Sequence, residues 1–136
     1  MDYVYICRSG ENEELRYSLR SVEKNMPKGN IWLIGHRPKW YIGNFIFVED
    51  ISDKFDNIIN CLKIVTETKE ISENFIFMND DFFAFKKINE IPTFHGGLLS
   101  DKIKRYKENL MSPKYIRLLE KTYNQLKING IENPID

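Results

Sequence analysis

Nine consecutive residues limit this chain more than any others: Phe75-Ile76-Phe77-Met78-Asn79-Asp80-Asp81-Phe82-Phe83. Four apolar residues run straight into a polar triplet with two adjacent carboxylates, and the chain then turns apolar again. An unbroken apolar run of this length predicts a strand buried on both faces, as in a parallel sheet. Asp80 and Asp81 then fall at its carboxyl end, where open α/β sheets hold their ligands. Adjacent carboxylates beside a buried strand call for a compensating charge. A hard divalent cation, Mg²⁺ or Mn²⁺, takes oxygen ligands and shares them with phosphates. The same triplet also reads as a plain polar turn, and both readings stay open at this point.

The strands and helices upstream repeat one theme. Tyr3-Val4-Tyr5-Ile6-Cys7 predicts a first strand that ends at the loop Arg8-Ser9-Gly10, with Ser9 or Asn12 as cap of the following helix. Leu15, Leu19, Val22 and Met26 keep helical spacing, Glu11, Glu13 and Glu14 crowd the first turn, and Pro27 and Gly29 stop the helix. Ile31–Gly35 is a second strand and Phe45–Val48 a short third. Ser52 or Asp53 caps a helix with the stripe Phe55, Ile58, Ile59, Leu62 and Val65, running to about Glu70. The alternation predicts an α/β fold, a mostly parallel sheet with flanking helices. Ile6, Leu33 and Ile76 are expected on neighbouring interior strands, and Phe82–Phe85 reads as one more strand.

The last third changes character. Leu99, Ile103, Tyr106 and Leu110 form one helical stripe. Ser112-Pro113 starts another, with Ile116, Leu119, Tyr123 and Leu126, ended by Gly130. At 136 residues this is one domain, with residues 1–98 as the α/β core and 99–136 as a helical carboxyl-terminal segment. Between Asp101 and Lys127 stand eight basic and three acidic residues. They read either as a soluble outer face or as a surface for an anionic acceptor or nucleic acid.

Composition excludes several classes. The formal net charge is zero, so net charge does not mark the whole molecule as a polyanion binder. The 18 aromatic residues, nine Phe, seven Tyr and two Trp, argue against disorder. No apolar run is long enough to span a membrane and the chain opens Met1-Asp2-Tyr3 without a secretory signal, so a cytoplasmic location is expected. Cys7 and Cys61, on apolar segments, are expected to be reduced core residues. Arg16 and Arg20, four apart and on one helix face, read as a solvated pair beside Glu13 or Glu23, or as a functional pair. His36 and His95 are loop histidines. Together with Asp50 they are the available general bases, and the sequence chooses none of them.

Two segments together resemble the Stealth family of sugar-phosphate transferases. Glu14-Leu15-Arg16-Tyr17-Ser18-Leu19-Arg20-Ser21-Val22-Glu23-Lys24 is similar to one of its conserved regions, and Phe75–Phe83 with Asn79-Asp80-Asp81 to a later one. Pro38-Lys39-Trp40 sits where that family has a proline-x-tryptophan turn. The resemblance covers roughly residues 1–90. It implies a fold akin to the A-type glycosyltransferases, a nucleotide-diphospho-sugar donor, and Mn²⁺ or Mg²⁺ held by Asp80 and Asp81. It raises Arg16 and Arg20, with Asp81, to catalytic or phosphate-binding groups. Arg8, Ser9, Gly10, Asn79 and Asp80 become donor-binding residues. The expected reaction moves a sugar or a sugar-1-phosphate to an acceptor that the sequence does not identify. The family continues with further segments beyond its Asn-Asp-Asp motif, and these have no counterpart here, so a minimal version or a truncated chain is implied. The alternative is a catalytically inactive module that kept the fold and offers its basic helices to an anionic partner.

Overall fold

A computed structural model describes residues 1–51, 53–91 and 96–135. Two compact units emerge, Met1–Ile91 and Pro92–Asp136. The first holds β1 (Asp2–Cys7), α1 (Glu13–Asn25), β2 (Ile31–Gly35), β3 (Asn44–Phe47), α2 (Lys54–Glu67) and β4 (Phe75–Met78). Its four strands pair in the order β3-β2-β1-β4, and every pairing is parallel.

Side-chain alternation along β1 splits the core into two layers. Tyr3, Tyr5 and Cys7 meet Leu15, Leu19 and Val22 of α1, together with Leu33 and Met78. Val4 on the opposite face joins Ile34, Val48 and Ile71 and the α2 residues Cys61 and Val65. The sheet is therefore sandwiched, with α1 on one face and α2 on the other. Both cysteines are buried and free, and burial raises both thiols, Cys7 to about 11.

Four expectations need correction. First, β4 pairs only with β1, so among the described residues it is an edge strand rather than an interior one. Phe77 is 44% exposed; the apolar run signals a strand but not coverage on both faces. Second, Phe82–Phe85 is not a strand. Its backbone is taken up by polar side chains of α1. Ser18 Oγ donates to the Phe82 carbonyl at 2.5 Å, Ser21 Oγ accepts from the Ala84 amide at 3.0 Å, and Asn25 donates to the Ala84 carbonyl. Third, the buried side of α2 is Asn57, Cys61 and Val65, whereas Phe55 and Ile59 are exposed. Asn57 is drawn inward because its Oδ1 accepts from the Ile51 amide at 3.1 Å. Fourth, Asn12 does not cap α1 with its side chain. It adopts a left-handed conformation (φ 47°), and its Nδ2 donates back to the Arg8 carbonyl at 2.7 Å. Asp53 caps α2 as expected, accepting from Phe55 and Asp56 amides. Ser52 and His95 lie outside the described residues.

The second unit contains α3 (Leu99–Glu108) and α4 (Pro113–Ile128). Leu99, Ile103 and Ile116 form its core, flanked by Tyr106, Leu119, Tyr123 and Leu126. Leu110 is the exception to its stripe: it is 92% exposed, in a left-handed conformation just past the end of α3. No helix among the described residues is long and apolar enough to cross a membrane.

Asp2 fastens the amino edge of the sheet. Its carboxylate is buried and accepts from the Asn30 amide and side chain and from the Ser72 amide at 2.8 Å. Burial pushes its pKa up, but the bonds from Ser72 and Asn30 outweigh it, and the net shift is downward from 3.8. A carboxyl with a depressed folded value stabilises the fold above its unfolded value, and that stability is lost as pH falls through the folded value. Asp2→Ala is expected to cost about 1–3 kcal/mol at pH 7, because three donors lose their acceptor. Urea unfolding should show the gap between the two proteins closing as pH drops below 3.8.

Candidate functional site

The strand order sets where a ligand site can form. From β1 the chain reaches β2 through α1 on one face, and later returns through α2 on the opposite face to lay β4 on the other side of β1. The connections thus diverge between β1 and β4. In open parallel sheets this divergence leaves a crevice at the carboxyl ends of the two strands. Arg8 follows β1 there, and Asn79-Asp80-Asp81 follow β4.

A cavity of ≈ 430 Å³ occupies that place. Arg8 and the Asn79–Asp81 triplet line it, joined by Asp50 from the exit of β3 and by Lys54 and Asn57 from the start of α2. Ile6, Ile58 and Phe77 supply apolar wall. Two cations thus stand with three carboxylates around one small volume. The carboxylate field is felt nearby: burial is the main reason that the Cys7 thiol is raised, and the charges of Asp80 and Asp50 add to it.

The triplet is itself a turn, closed by the Phe82 amide donating to the Asn79 carbonyl at 3.2 Å. Polar-turn and ligand-site readings are therefore compatible. A buried relay holds the turn. Ser18 has one hydroxyl proton and gives it to the Phe82 carbonyl, so the Tyr5 hydroxyl, 3.0 Å from Ser18 Oγ, must be the donor in that pair. Burial pushes Tyr5 up to about 12, which keeps its proton in place. Ser18→Ala would strand both the Tyr5 hydroxyl and the Phe82 carbonyl. We expect a loss of about 2 kcal/mol or more by urea unfolding, with Tyr5→Phe/Ser18→Ala recovering part of it.

Asp50 is organised from two sides. Its Oδ2 lies 3.3 Å from Nε2 of His36, and its Oδ1 is 3.5 Å from Nδ2 of the buried Asn57. His36 also meets Phe47 edge-on, with centroids 5.5 Å apart. Of the three general-base candidates, His36 and Asp50 are thus brought together at the carboxyl edge.

Among the described residues, no three His, Cys, Asp or Glu side chains converge on a point that could hold a cation. Asp80 and Asp81 offer oxygen ligands of the hard type that Mg²⁺ and Mn²⁺ accept, and such ions commonly use one or two carboxylates and complete their shell with water and substrate phosphates. The donor set fits a cation shared with a phosphate and does not fit an all-protein cage.

Arg16 and Arg20 are elsewhere. They line a separate cavity of ≈ 750 Å³ with Tyr3, Leu19 and Val22 on the α1 face, whereas the carboxyl-edge cavity is walled by Ile6 and Phe77 on the α2 face. The resemblance groups these arginines with Asp81, but they line a different cavity from Asp80 and Asp81. Neither forms an ion pair with Glu13 or Glu23 among the described residues. Ser9 and Gly10 are exposed and do not line the cavity that Arg8 enters. Lys54 and Asn57 are the lining residues that sequence reasoning missed. Lys54 opens α2 and Asn57 lies about one turn in; a helix start that follows a strand exit was the available signal. Compared with known proteins, the chain matches no family model, and neither a curated protein nor a solved structure matches it.

Proposed function

We propose that the first unit binds a nucleotide-diphospho-sugar at the carboxyl edge between β1 and β4 and transfers its sugar or sugar-1-phosphate to an acceptor. The observation that carries this reading is the meeting of Arg8 and Lys54 with Asp80 and Asp81 around one cavity at the topological divide of a parallel sheet. The resemblance of the Asn79-Asp80-Asp81 segment to the Stealth motif supports the choice of donor.

In this reading the Arg8 guanidinium, planar and always charged, binds diphosphate oxygens in a forked contact. Lys54 adds a point charge from the first turn of α2, where the helix dipole also favours anions. Asp80 and Asp81 hold Mg²⁺ or Mn²⁺, which supplies charge neutralisation for the departing nucleotide. Asn79 orients the donor through its amide. Asp50, which lines the cavity and is held by His36 and Asn57, is the group that takes the acceptor proton, since a base must lie within hydrogen-bond reach of that proton.

Calorimetric titration with UDP-, GDP- and CDP-sugars, with and without Mn²⁺, tests the proposal. Saturable binding of one donor that requires the cation is expected. Absence of binding across the panel, or binding indifferent to Mn²⁺, would overturn it.

A further inference from the structure

The second cavity has its own chemistry. β2 and β3 are parallel, yet only residues 36–43 connect them, and none is helical. A parallel crossover normally needs a dozen or more residues and a helix. This short strap cannot cover its face of the sheet fully, and a groove remains between it and α1. The groove reaches from Arg16 and Trp40 to Gly29, Asn30 and Asn44 at the amino ends of β2 and β3. Its ≈ 750 Å³ falls in the range of small-molecule sites.

Its charge is one-sided. Arg16, Arg20 and Lys28 line it against a single carboxylate, Glu23. Among the described residues none of the three cations has an acidic partner within ion-pair distance. Arg16 is also prepositioned. Its guanidinium lies over the Trp40 ring, 5.8 Å from the centroid. The ring is oriented in turn by Nε1 donating to the Glu11 carbonyl at 3.4 Å. Arg20 follows one helical turn later, about 6 Å along the axis, so two guanidiniums can bracket one phosphate. On the opposite wall, Asn44 Nδ2 and the Tyr41 hydroxyl each donate to the Ile31 carbonyl, and Asn30 Nδ2 donates to Asp2; each carboxamide keeps a second N–H. The carboxamide oxygens of Asn30 and Asn44 are left as acceptors for hydroxyl groups.

We propose that this groove binds a phosphomonoester of a polyol, such as a sugar phosphate, with Arg16 and Arg20 on the phosphate and the asparagine wall on the hydroxyls. The site is on the sheet face opposite the carboxyl-edge cavity, needs no cation, and does not depend on the donor reading above.

The test titrates the full chain, in EDTA, with glucose 1-phosphate, inorganic phosphate and glucose. It follows heat and the indole N–H resonance of Trp40. Glucose 1-phosphate is expected to saturate and to move that resonance, inorganic phosphate to bind at least tenfold more weakly, and glucose to give no response. Arg20→Ala and Lys28→Ala, both at exposed positions, should each weaken glucose 1-phosphate at least tenfold and threefold, respectively. Arg16→Lys should lose as much as Arg20→Ala, since an ammonium cannot make the forked contact. Asp80→Asn should bind glucose 1-phosphate as the parent does. No saturation by glucose 1-phosphate, unchanged affinity in the arginine variants, or loss in Asp80→Asn would each overturn the proposal. Equal affinity for inorganic phosphate would overturn the assignment of a polyol ester.

Discussion

Asp81→Ala and Asp80→Asn are each expected to lower Mn²⁺-dependent nucleotide-sugar affinity by at least about thirtyfold, with no change in the midpoint of thermal unfolding. The affinity loss follows from removing one partner of a charge contact that is desolvated on binding, which costs about 2–5 kcal/mol. Asp80 is half-buried and Asp81 exposed, and both line the carboxyl-edge cavity. The turn that carries them is closed by backbone atoms of Asn79 and Phe82. It is anchored from beneath by Ser18. Neither anchor involves a carboxylate, so the fold should tolerate either change within about 0.5 kcal/mol. Calorimetry and a thermal melt on each variant check both halves. Parental affinity in Asp81→Ala would remove the cation role. A fallen melting temperature with lost affinity would instead mean that the aspartates are structural.

The sheet was legible in the sequence because its strands are short apolar runs set between helical stripes. Ile31–Gly35 matches in full, and β1 and β3 match within a residue at each end. What periodicity cannot report is which strands become neighbours. The place of β4 at the edge, and with it the exposure of Phe77, depends on pairings between residues more than 70 apart in the chain. The same limit hid the site. Asp80 and Asp81 stand out as a pair, but their meeting with Arg8, Asp50 and Lys54 is a product of strand order. Arg16 and Arg20 are grouped with Asp81 by the resemblance to the Stealth family, not by any spacing in the chain. Helix direction fixes which end of α1 is near the carboxyl edge, but not which way its side chains face: Arg16 turns toward the strap at Trp40, and Arg20 lines the same cavity.

Polar residues on buried helix faces explain two of the misreadings. Ser18, Ser21 and Asn25 follow the spacing of the apolar stripe of α1 and bond the backbone of residues 82–84. That segment therefore needs no strand neighbour to satisfy its amides and carbonyls, although its side chains read as a strand. Asn57 plays the same part in α2 for the Ile51 amide, turning the helix so that Phe55 faces out. In both helices the exception to the apolar pattern, and not the pattern itself, marks where a loop beside the site is held.

Gly35→Ala is expected to cost about 3 kcal/mol or more and to disorder the carboxyl edge. Gly35 ends β2 with φ +110°, and an added Cβ would stand 2.4 Å from the Cys7 carbonyl oxygen. That oxygen cannot withdraw freely, because it accepts from the His36 amide at 2.8 Å. The Gly35 carbonyl accepts in turn from the Val48 amide at 3.1 Å. One residue therefore joins the exits of β1, β2 and β3, which carry Arg8, His36 and Asp50. A side chain here meets backbone rather than a flexible tip, so the conformational penalty of about 1–3 kcal/mol adds to the loss of at least one bond of about 1 kcal/mol. Gly10→Ala is the matched control. Its φ is +132°, yet nothing lies within 4 Å of the added carbon, so it isolates the conformational penalty. Urea unfolding of the two variants side by side should show Gly35→Ala losing clearly more than Gly10→Ala. Equal losses would mean that the close approach of β1 and β2 is not what the glycine protects. If Gly35→Ala folds at low temperature, its His36–Asp50 pair should be disrupted, read as a change in the imidazole resonances of His36 that Gly10→Ala does not produce.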